Sequence, residues 1–475
     1  MKINGIAGML VVCAASVAHA AVVPDVESVE MGQDLPSRLV TIRYSLSSQP
    51  AVVTLDIETN VVANGTTVGW ASIGGEHIWN AEGDVWKKVE TLNGVITWRP
   101  DQSWKGADGK GFKVDGVTYK ARAKVTAWAM DNTPDYMVVD ISSAAQQNTQ
   151  TYYPAVEFLP GAELGQRGAV TNNPAYKTSK LVMRKIMAKG VNWTMGATAS
   201  ETQRDVVSTD GREKTHPVAL TSNYYIGIYE ITQSQWSEVF PSSTARAFFT
   251  TEGAMRPMEQ VSYNEIRNSA TATANTEFDW PHDPNPASFL GLLEDRTGIK
   301  FDLPSEAQWE FAARSGRGSG YWNDGSAILN GISDANLAKL GRYLYNGGRI
   351  NGSGEPTASS GVTNATAIVG TYKANDWGLY DMHGNVWEWC LDWLSNDISS
   401  LSGAVNIDSE NPQSPLSAGT NAALPPNRVR KGGSWDFGAG YSRPSCRVGS
   451  RPNVNTGSTT GKATGFRVVC TAGLQ

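Results

Sequence analysis

Hydrophobic and polar positions alternate with a period of two through the first third of the chain. Arg38–Tyr44, Ala51–Ile57, Gly94–Trp98, Ala121–Trp128 and Tyr136–Ile141 each carry this pattern, which belongs to strands with one buried face. Turn-forming residues such as Asn64-Gly65, Asp101 and Asp108-Gly109 separate them. Short strands at this spacing predict an all-β sandwich of immunoglobulin or fibronectin type over residues 21–143. Nothing in it carries catalytic chemistry, so it reads as a spacer or adhesion module. Residues 144–179 are polar and rich in Gly, Asn and Gln, and read as a linker. From about Lys180 a second domain is expected. Ile186–Met195 and Tyr224–Thr232 read as strands, the latter feeding a helix through Trp236 and Val239. Pro257–Ile266 and Ala287–Thr297 read as helical pieces. Ser305–Arg314 is the best-marked helix. Ser305 with Gln308 forms a capping box, and Trp309, Ala312 and Ala313 share one face. Residues 315–375 show many Gly and Asn and little periodicity, so irregular chain is expected there.

Composition narrows the class. A chain of 475 residues exceeds one ordinary core, and 40% hydrophobic with 18% charged residues describes a globular protein. A net charge of −6 excludes the basic face that a nucleic-acid partner needs. Lys2, the apolar run Ile6–Val17 and Ala18-His19-Ala20 read as a secretory signal over residues 1–20. Val12 before Cys13 argues against lipidation. No other run is long and apolar enough to span a bilayer. The mature chain is therefore expected to be exported: periplasmic, cell-surface or secreted. Loss of Cys13 leaves Cys390, Cys446 and Cys470, for which an oxidising compartment predicts one disulfide and one leftover thiol.

Four motifs follow one another in the second half: Leu303–Arg314 (LPSEAQWEFAAR), Gly378–Trp389 (GLYDMHGNVWEW), Arg430–Trp435 (RKGGSW) and Gly465–Val468 (GFRV). Together they resemble the formylglycine-generating enzyme, or sulfatase-modifying factor, family. The resemblance spans residues 180–472. It implies an α+β, irregular C-type-lectin-like domain held by buried tryptophans, preceded here by the all-β sandwich. On that resemblance a calcium ion sits in the Gly378–Trp389 turn, with Asp381 and Glu388 giving carboxylates and Gly384 and Val386 giving carbonyls. Mixed oxygen donors of this kind suit calcium. Asp334 and Asn336 are possible ligands of a second site. The resemblance also implies that the segments of Cys390 and Cys446 meet, so that these two pair, with Cys470 as an alternative partner.

The oxidising members of that family hold copper(I) on two cysteines shortly after the Gly-Gly-Ser-aromatic motif. Those places fall at Phe437 and at Ser442 or Arg443. Thiolates are the soft ligands that copper(I) needs, so copper and cysteine-to-formylglycine oxidation by this route are not expected. The resemblance makes Ser434, Trp435, Phe437, Ser442, Arg447 and Arg451 candidate cleft residues that would position a ligand or brace its walls, and it identifies no catalytic residue. Family members using iron need a histidine cluster, whereas His77, His216, His282 and His383 are scattered. No Walker loop, G-x-S-x-G elbow or H-E-x-x-H motif occurs. Glu306 and Glu310, four apart on the helix, suit either acid/base work or a braced helix face. Trp309, Trp377, Trp387, Trp389, Trp393 and Trp435 read as core, with a sugar-stacking role open for Trp435 or Tyr441.

The segment Ser434–Gly465 also resembles the variable tail of lectin-like proteins diversified by retroelements. Asp436, Phe437, Gly438, Tyr441, Ser442, Asn453, Asn455 and Ser458 would form that binding face. Three readings follow. The first is an exported, calcium-stabilised module that binds an unknown protein or glycan and lacks oxidase activity. The second is a sulfatase-modifying or other metal-dependent oxidase with a non-standard site in the same cleft. The third is a surface structural or adhesion protein with a diversified face.

Overall fold

The computed structural model describes residues 23–104, 120–161, 170–204, 206–207, 209, 211–243, 245, 247–268, 282–347, 349–350, 356–357, 365–394, 406–407, 427–453 and 461–471. The predicted signal segment, Asn455 and Ser458 lie outside the described residues.

The N-terminal sandwich forms from β1 (Val26–Gln33), β2 (Val40–Leu46), β3 (Ala51–Ala63), β4 (Thr66–Ser72), β5 (Glu82–Gly83), β6 (Lys87–Val89), β7 (Asn93–Trp98) and β8 (Ala121–Trp128). One sheet runs β1-β2-β7-β5. The other has β3 at its centre, paired with β4, β6 and β8. Period-two burial holds where the sequence alternates: Val40, Ile42, Tyr44 and Leu46 point into the core with Val53, Leu55, Ile57, Ile96 and Trp98. The short helix α1 (Pro100–Ser103) follows β7.

The strand β9 (Tyr136–Asp140) corrects the expected organisation. It does not join the sandwich. It lies between β10 (Thr151–Tyr153) and β11 (Lys180–Ile186), in a five-stranded antiparallel sheet completed by β14 (Tyr224–Gly227) and the C-terminal β22 (Val469–Thr471). Both faces of β9 are covered: Met137 and Val139 on one side, Tyr136 and Val138 on the other. A strand buried on both faces belongs at the centre of a sheet with layers on either side. Nor is the segment read as linker free of structure. It contributes β10, whose Tyr152 N–H donates to the Trp86 carbonyl at 2.8 Å, and Tyr153 packs on the Trp86 ring. The sandwich and the second region are thereby stitched together.

Helices cover the five-stranded sheet. On one face lie α2 (Gln233–Val239), α3 (Tyr263–Arg267) and α4 (Phe289–Thr297), through Trp236, Ile266, Phe289 and Leu293. On the other lies α5 (Glu306–Arg314), through Trp309, Ala312 and Ala313. Three of the four starts are capping boxes: Thr232/Gln235, Ser262/Glu265 and Ser305/Gln308. Each cap satisfies amide hydrogens that the first helical turn leaves free, worth about 1 kcal/mol apiece. A small sheet carries the signature motifs: β17 (Trp387–Trp393) at its centre, with β19 (Arg428–Lys431), β20 (Val448–Ser450) and β21 (Thr464–Gly465).

The expected Cys390–Cys446 disulfide is not formed. Cys390, Cys446 and Cys470 are all free and buried. Cys390 and Trp387 are three apart on β17, so they point to opposite faces of the sheet. Cys390 lies in the core with Trp309 and Val429, Cys446 packs with Trp387 and Trp435, and Cys470 lies with Met183 and Phe466. The sheet itself separates the thiols.

Buried charge holds α5 to this sheet. Lys431 Nζ, fully buried, lies 3.0 Å from Glu310 Oε2 and 3.4 Å from Glu306 Oε1. Arg447 forms a bidentate pair with Glu306, and Arg314 donates to Glu310 at 2.9 Å. Burial pushes the Glu310 carboxyl up, but Lys431 and Arg314 outweigh it and hold the group down at about 2. Lys431→Met leaves two buried carboxylates short of a cation, and should cost about 3–5 kcal/mol in urea unfolding. A loss under about 1 kcal/mol would remove the brace from this account. Because the folded Glu310 value is depressed, its contribution is complete above the unfolded value of 4.5 and fades as pH falls toward about 2. Stability–pH profiles of Glu310→Gln should show that acid limb flattened.

Candidate functional site

The signature motifs converge on β17. Its two faces do different work. On one face Glu388 is wholly engaged: Trp309 Nε1–H donates to Oε2 at 2.7 Å, and Arg467 grips the carboxylate with Nε at 2.6 Å and Nη2 at 2.7 Å. Arg467 also donates to the carbonyls of Gly227 and Tyr380 at 2.9 and 3.0 Å. On the other face Trp387 and Trp389 are buried, with Trp389 Nε1 donating to the Val261 carbonyl at 3.0 Å. Glu306 and Glu310 belong to the brace described above, so the helix pair is structural and not an acid/base couple.

Over Trp387 lies an aromatic surface. Phe437 meets the Trp387 ring at 5.7 Å and the Tyr441 ring at 4.8 Å between centroids. Trp435 meets Phe249 edge-on at 5.1 Å and donates Nε1–H to the Lys462 carbonyl at 3.2 Å. Phe249, Phe437 and Tyr441 are half-buried, and Phe248 beside them is exposed. The rings are mostly steeply tilted, from 56° to 90°. Such packing makes an uneven apolar patch of ring edges and faces, in contrast to the flat platform that stacks a sugar ring.

The predicted cleft residues divide into three kinds. Trp435 and Phe437 line the recess. Ser434, buried, donates to Asp436 Oδ1 at 2.7 Å, and Ser442 is buried with an unpartnered hydroxyl and a carbonyl 2.9 Å from His383 Nδ1. Burial pushes His383 down to about 4, so this ring is neutral. Arg447 braces α5, and Arg451 stands exposed. The places that the resemblance assigned to copper ligands are Phe437 and either Ser442 or Arg443, the latter buried and paired with Glu201 and Glu213. Of the face expected to vary, Asp436, Phe437, Gly438 and Tyr441 are part-exposed, Asn453 is exposed and Ser442 is wholly inside. The sequence reading missed Phe248, Phe249 and Lys462, because only tertiary folding carries them to the recess.

The Gly378–Trp389 turn is tight. Asp381, Gly384 and Asn385 have φ of 57°, 97° and 61°, and a Cβ on Gly384 would stand 2.1 Å from the Arg342 carbonyl. Only glycine fits there. Asp381 is fully buried. Its Oδ2 accepts from the Gly370 amide at 2.7 Å, while Oδ1 has no hydrogen-bond partner. Glu230 lies against it, with Oε2 held by Asn385 Nδ2 at 3.2 Å and Oε1 unpartnered. Burial raises both carboxyls, Asp381 to about 6; the charge of Asp381 raises Glu230 further, and that of Glu388 raises both. Two buried carboxylates with free oxygens suit a cation. Glu388 does not, since Arg467 and Trp309 occupy both its oxygens. Asp334 accepts from five internal N–H groups, those of Leu329, Asn330, Asn336, Leu337 and the Trp322 indole, and so organises its own loop. Among the described residues, no group of three or more His, Cys, Asp or Glu side chains could hold a metal, and no helix is long and apolar enough to cross a membrane.

Comparison with known proteins agrees with this architecture. The sulfatase-modifying factor enzyme 1-like domain matches residues 172–472. The chaperone protein LppX of Paenibacillus barcinonensis is 31% identical over 193 residues, covering 37% of this chain and 64% of that relative. The formylglycine-generating enzyme of Thermomonospora curvata is 36% identical over 166 residues, covering 35% of this chain and 48% of its own length. Among solved structures, Treponema denticola variable protein 1 aligns with 62% of this chain and 95% of its own, at 26% identity and a TM-score of 0.41. The chain thus spans 64% and 48% of the two curated relatives. With the family's domain matching residues 172–472, more than half of the chain, and the signature motifs meeting at one sheet, this chain belongs to the sulfatase-modifying factor enzyme 1-like family.

Proposed function

We propose that this chain is an exported binding module of its family, without cysteine-to-formylglycine oxidase activity, whose ligand docks on the recess of Phe249, Trp435, Phe437 and Tyr441. One observation carries the reading. At the places where the resemblance puts the copper(I) ligands of oxidising members stand a half-buried phenylalanine ring and a buried serine or arginine, while the three described thiols lie in three separate cores. Copper(I) has no thiolate pair to bind, and an apolar recess favours an aliphatic or aromatic group of a ligand. The tilted rings favour a protein segment over a glycan. A relative named as a chaperone protein points the same way. The sandwich supplies a spacer that presents the module.

Calcium has a structural role in this reading. Asp381 and the carbonyls of Gly384 and Val386 would hold it, with Glu230 supplying the second carboxylate in place of the occupied Glu388. The ion would neutralise two buried acids and fix the turn that precedes β17.

Copper(I) titration of the mature protein should show no tight site, and oxygen uptake with a Cys-x-Pro-x-Arg peptide should not rise above the peptide alone. One-to-one copper binding with turnover would restore the oxidase reading. In a screen of glycans and proteins, Phe437→Ala and Tyr441→Ala should each weaken the ligand by about 2 kcal/mol, roughly 30-fold. Equal affinity in both variants would move the site elsewhere. Chelation should lower the melting temperature by about 5 °C or more and release one calcium per chain by elemental analysis; Glu230→Gln should abolish both effects, and no change on chelation would remove calcium from the account.

A further inference from the structure

Glu259 is the buried acid that no function described so far uses. It lies outside the signature motifs, just before α3, and its side chain has no exposed surface. Oε1 accepts two backbone N–H groups, from Phe248 at 2.7 Å and Phe249 at 2.9 Å. Oε2 has no hydrogen-bond partner. The two amides belong to the strap whose rings form one wall of the recess. Phe249 packs on Trp435, and Lys462 Nζ sits 3.6 Å from the centroid of the Phe248 ring. The Lys462 carbonyl in turn accepts from Trp435 Nε1. Glu259, the strap, Trp435 and Lys462 thus form a closed loop of contacts.

We propose that Glu259 is the positioning residue of the recess, clamping the Phe248–Phe249 strap against Trp435 and, by gaining or losing its proton, setting how tightly that wall closes. The inference rests on the recess being the ligand site. Its physical basis is the half-satisfied carboxylate. In the neutral acid one oxygen keeps both amide bonds, and no charge is buried. Once ionised, the group holds a charge away from water with one oxygen unpartnered, a costly state. Burial accordingly pushes the carboxyl up to about 7, against the pull of the two amides and of Lys462. Among the described residues, Lys462 is the charged group that acts on it. The strap faces it with the two amides, and α2 brings Gln233, a neutral amide that donates to the Phe249 carbonyl at 3.0 Å. Ionisation therefore draws Lys462 off the Phe248 ring, or admits water, and either movement loosens the wall. The folded value lies above the unfolded 4.5, so the closed arrangement is favoured at low pH and disfavoured as pH rises through about 7; the two amides bind the carboxylate more tightly than the acid, so the loosening falls on Lys462 and its contact with Phe248.

The test follows the Trp435 indole N–H of the free mature protein by NMR, from about pH 5 to about pH 9, with Trp435→Phe assigning the signal. The signal should titrate with a midpoint of about 7 in the parent protein and stay flat in Glu259→Gln, which keeps an acceptor oxygen but cannot ionise. Lys462→Met removes the opposing charge and should move the midpoint upward. A parent signal that does not titrate, or one that titrates equally in Glu259→Gln, overturns the proposal. Should Glu259→Gln fail to fold, an unmoved midpoint in Lys462→Met overturns it instead. Because no ligand is needed, the outcomes separate: a flat indole with ligand captured at Phe437 sinks the Glu259 inference alone, and a titrating indole with no ligand at Phe437 sinks the binding reading alone.

Discussion

The guanidinium of Arg467 is the contact on which the second region turns. It joins the Glu388 carboxylate on β17 to the carbonyl of Gly227 at the end of β14 and to that of Tyr380 in the signature turn. Trp309 from α5 reaches the same carboxylate. One buried ion pair thus fastens a strand, a helix, a turn and the C-terminal segment. The planar fork of arginine suits such a junction, since several donors leave it in fixed directions. With Glu388 taken, Asp381 and Glu230 are left with unpartnered oxygens.

Buried ion pairs of this kind are weak evidence for stability, because desolvation offsets most of the attraction. Their value here is geometric. Lys431 between Glu306 and Glu310, and Arg443 between Glu201 and Glu213, are satisfied in one arrangement only. Each alternative register would leave a charge unpaired away from water. Irregular chain with little periodic packing is thereby given a single path, and the rims of the recess are held without long helices or strands.

On that frame the chemistry of the recess depends on very few positions. On the resemblance, two thiolates at Phe437 and at Ser442 or Arg443 would make a soft metal site; a phenyl ring and a buried serine or arginine stand there instead. The surrounding brace is indifferent to the exchange, because Arg447, Lys431 and Glu306 lie on the α5 side of the sheet. A family scaffold can in this way keep its motifs while the residues above Trp387 change.

Local physics made much of the molecule legible in the sequence. The capping box of Ser305 and Gln308 marks a helix start because it satisfies amide hydrogens that only a first helical turn leaves free. Alternation at Val40–Leu46 marks a strand with one wet face. The burial of Trp309 follows from its helix face shared with Ala312 and Ala313, and that of Trp387 and Trp389 from the family resemblance. Tertiary structure alone decided the rest. Alternation says that Tyr136–Asp140 is a strand, but not which sheet completes its hydrogen bonds, and the second sheet claims it. The separation of Cys390 from Cys446 depends on which face of β17 each meets. The filling of Glu388, the pairing of Asp381 with Glu230, and the grip of Glu259 on the Phe248–Phe249 strap join residues far apart in the chain. Such contacts leave no local pattern, because their energy comes from burial, and burial is a property of the assembled fold.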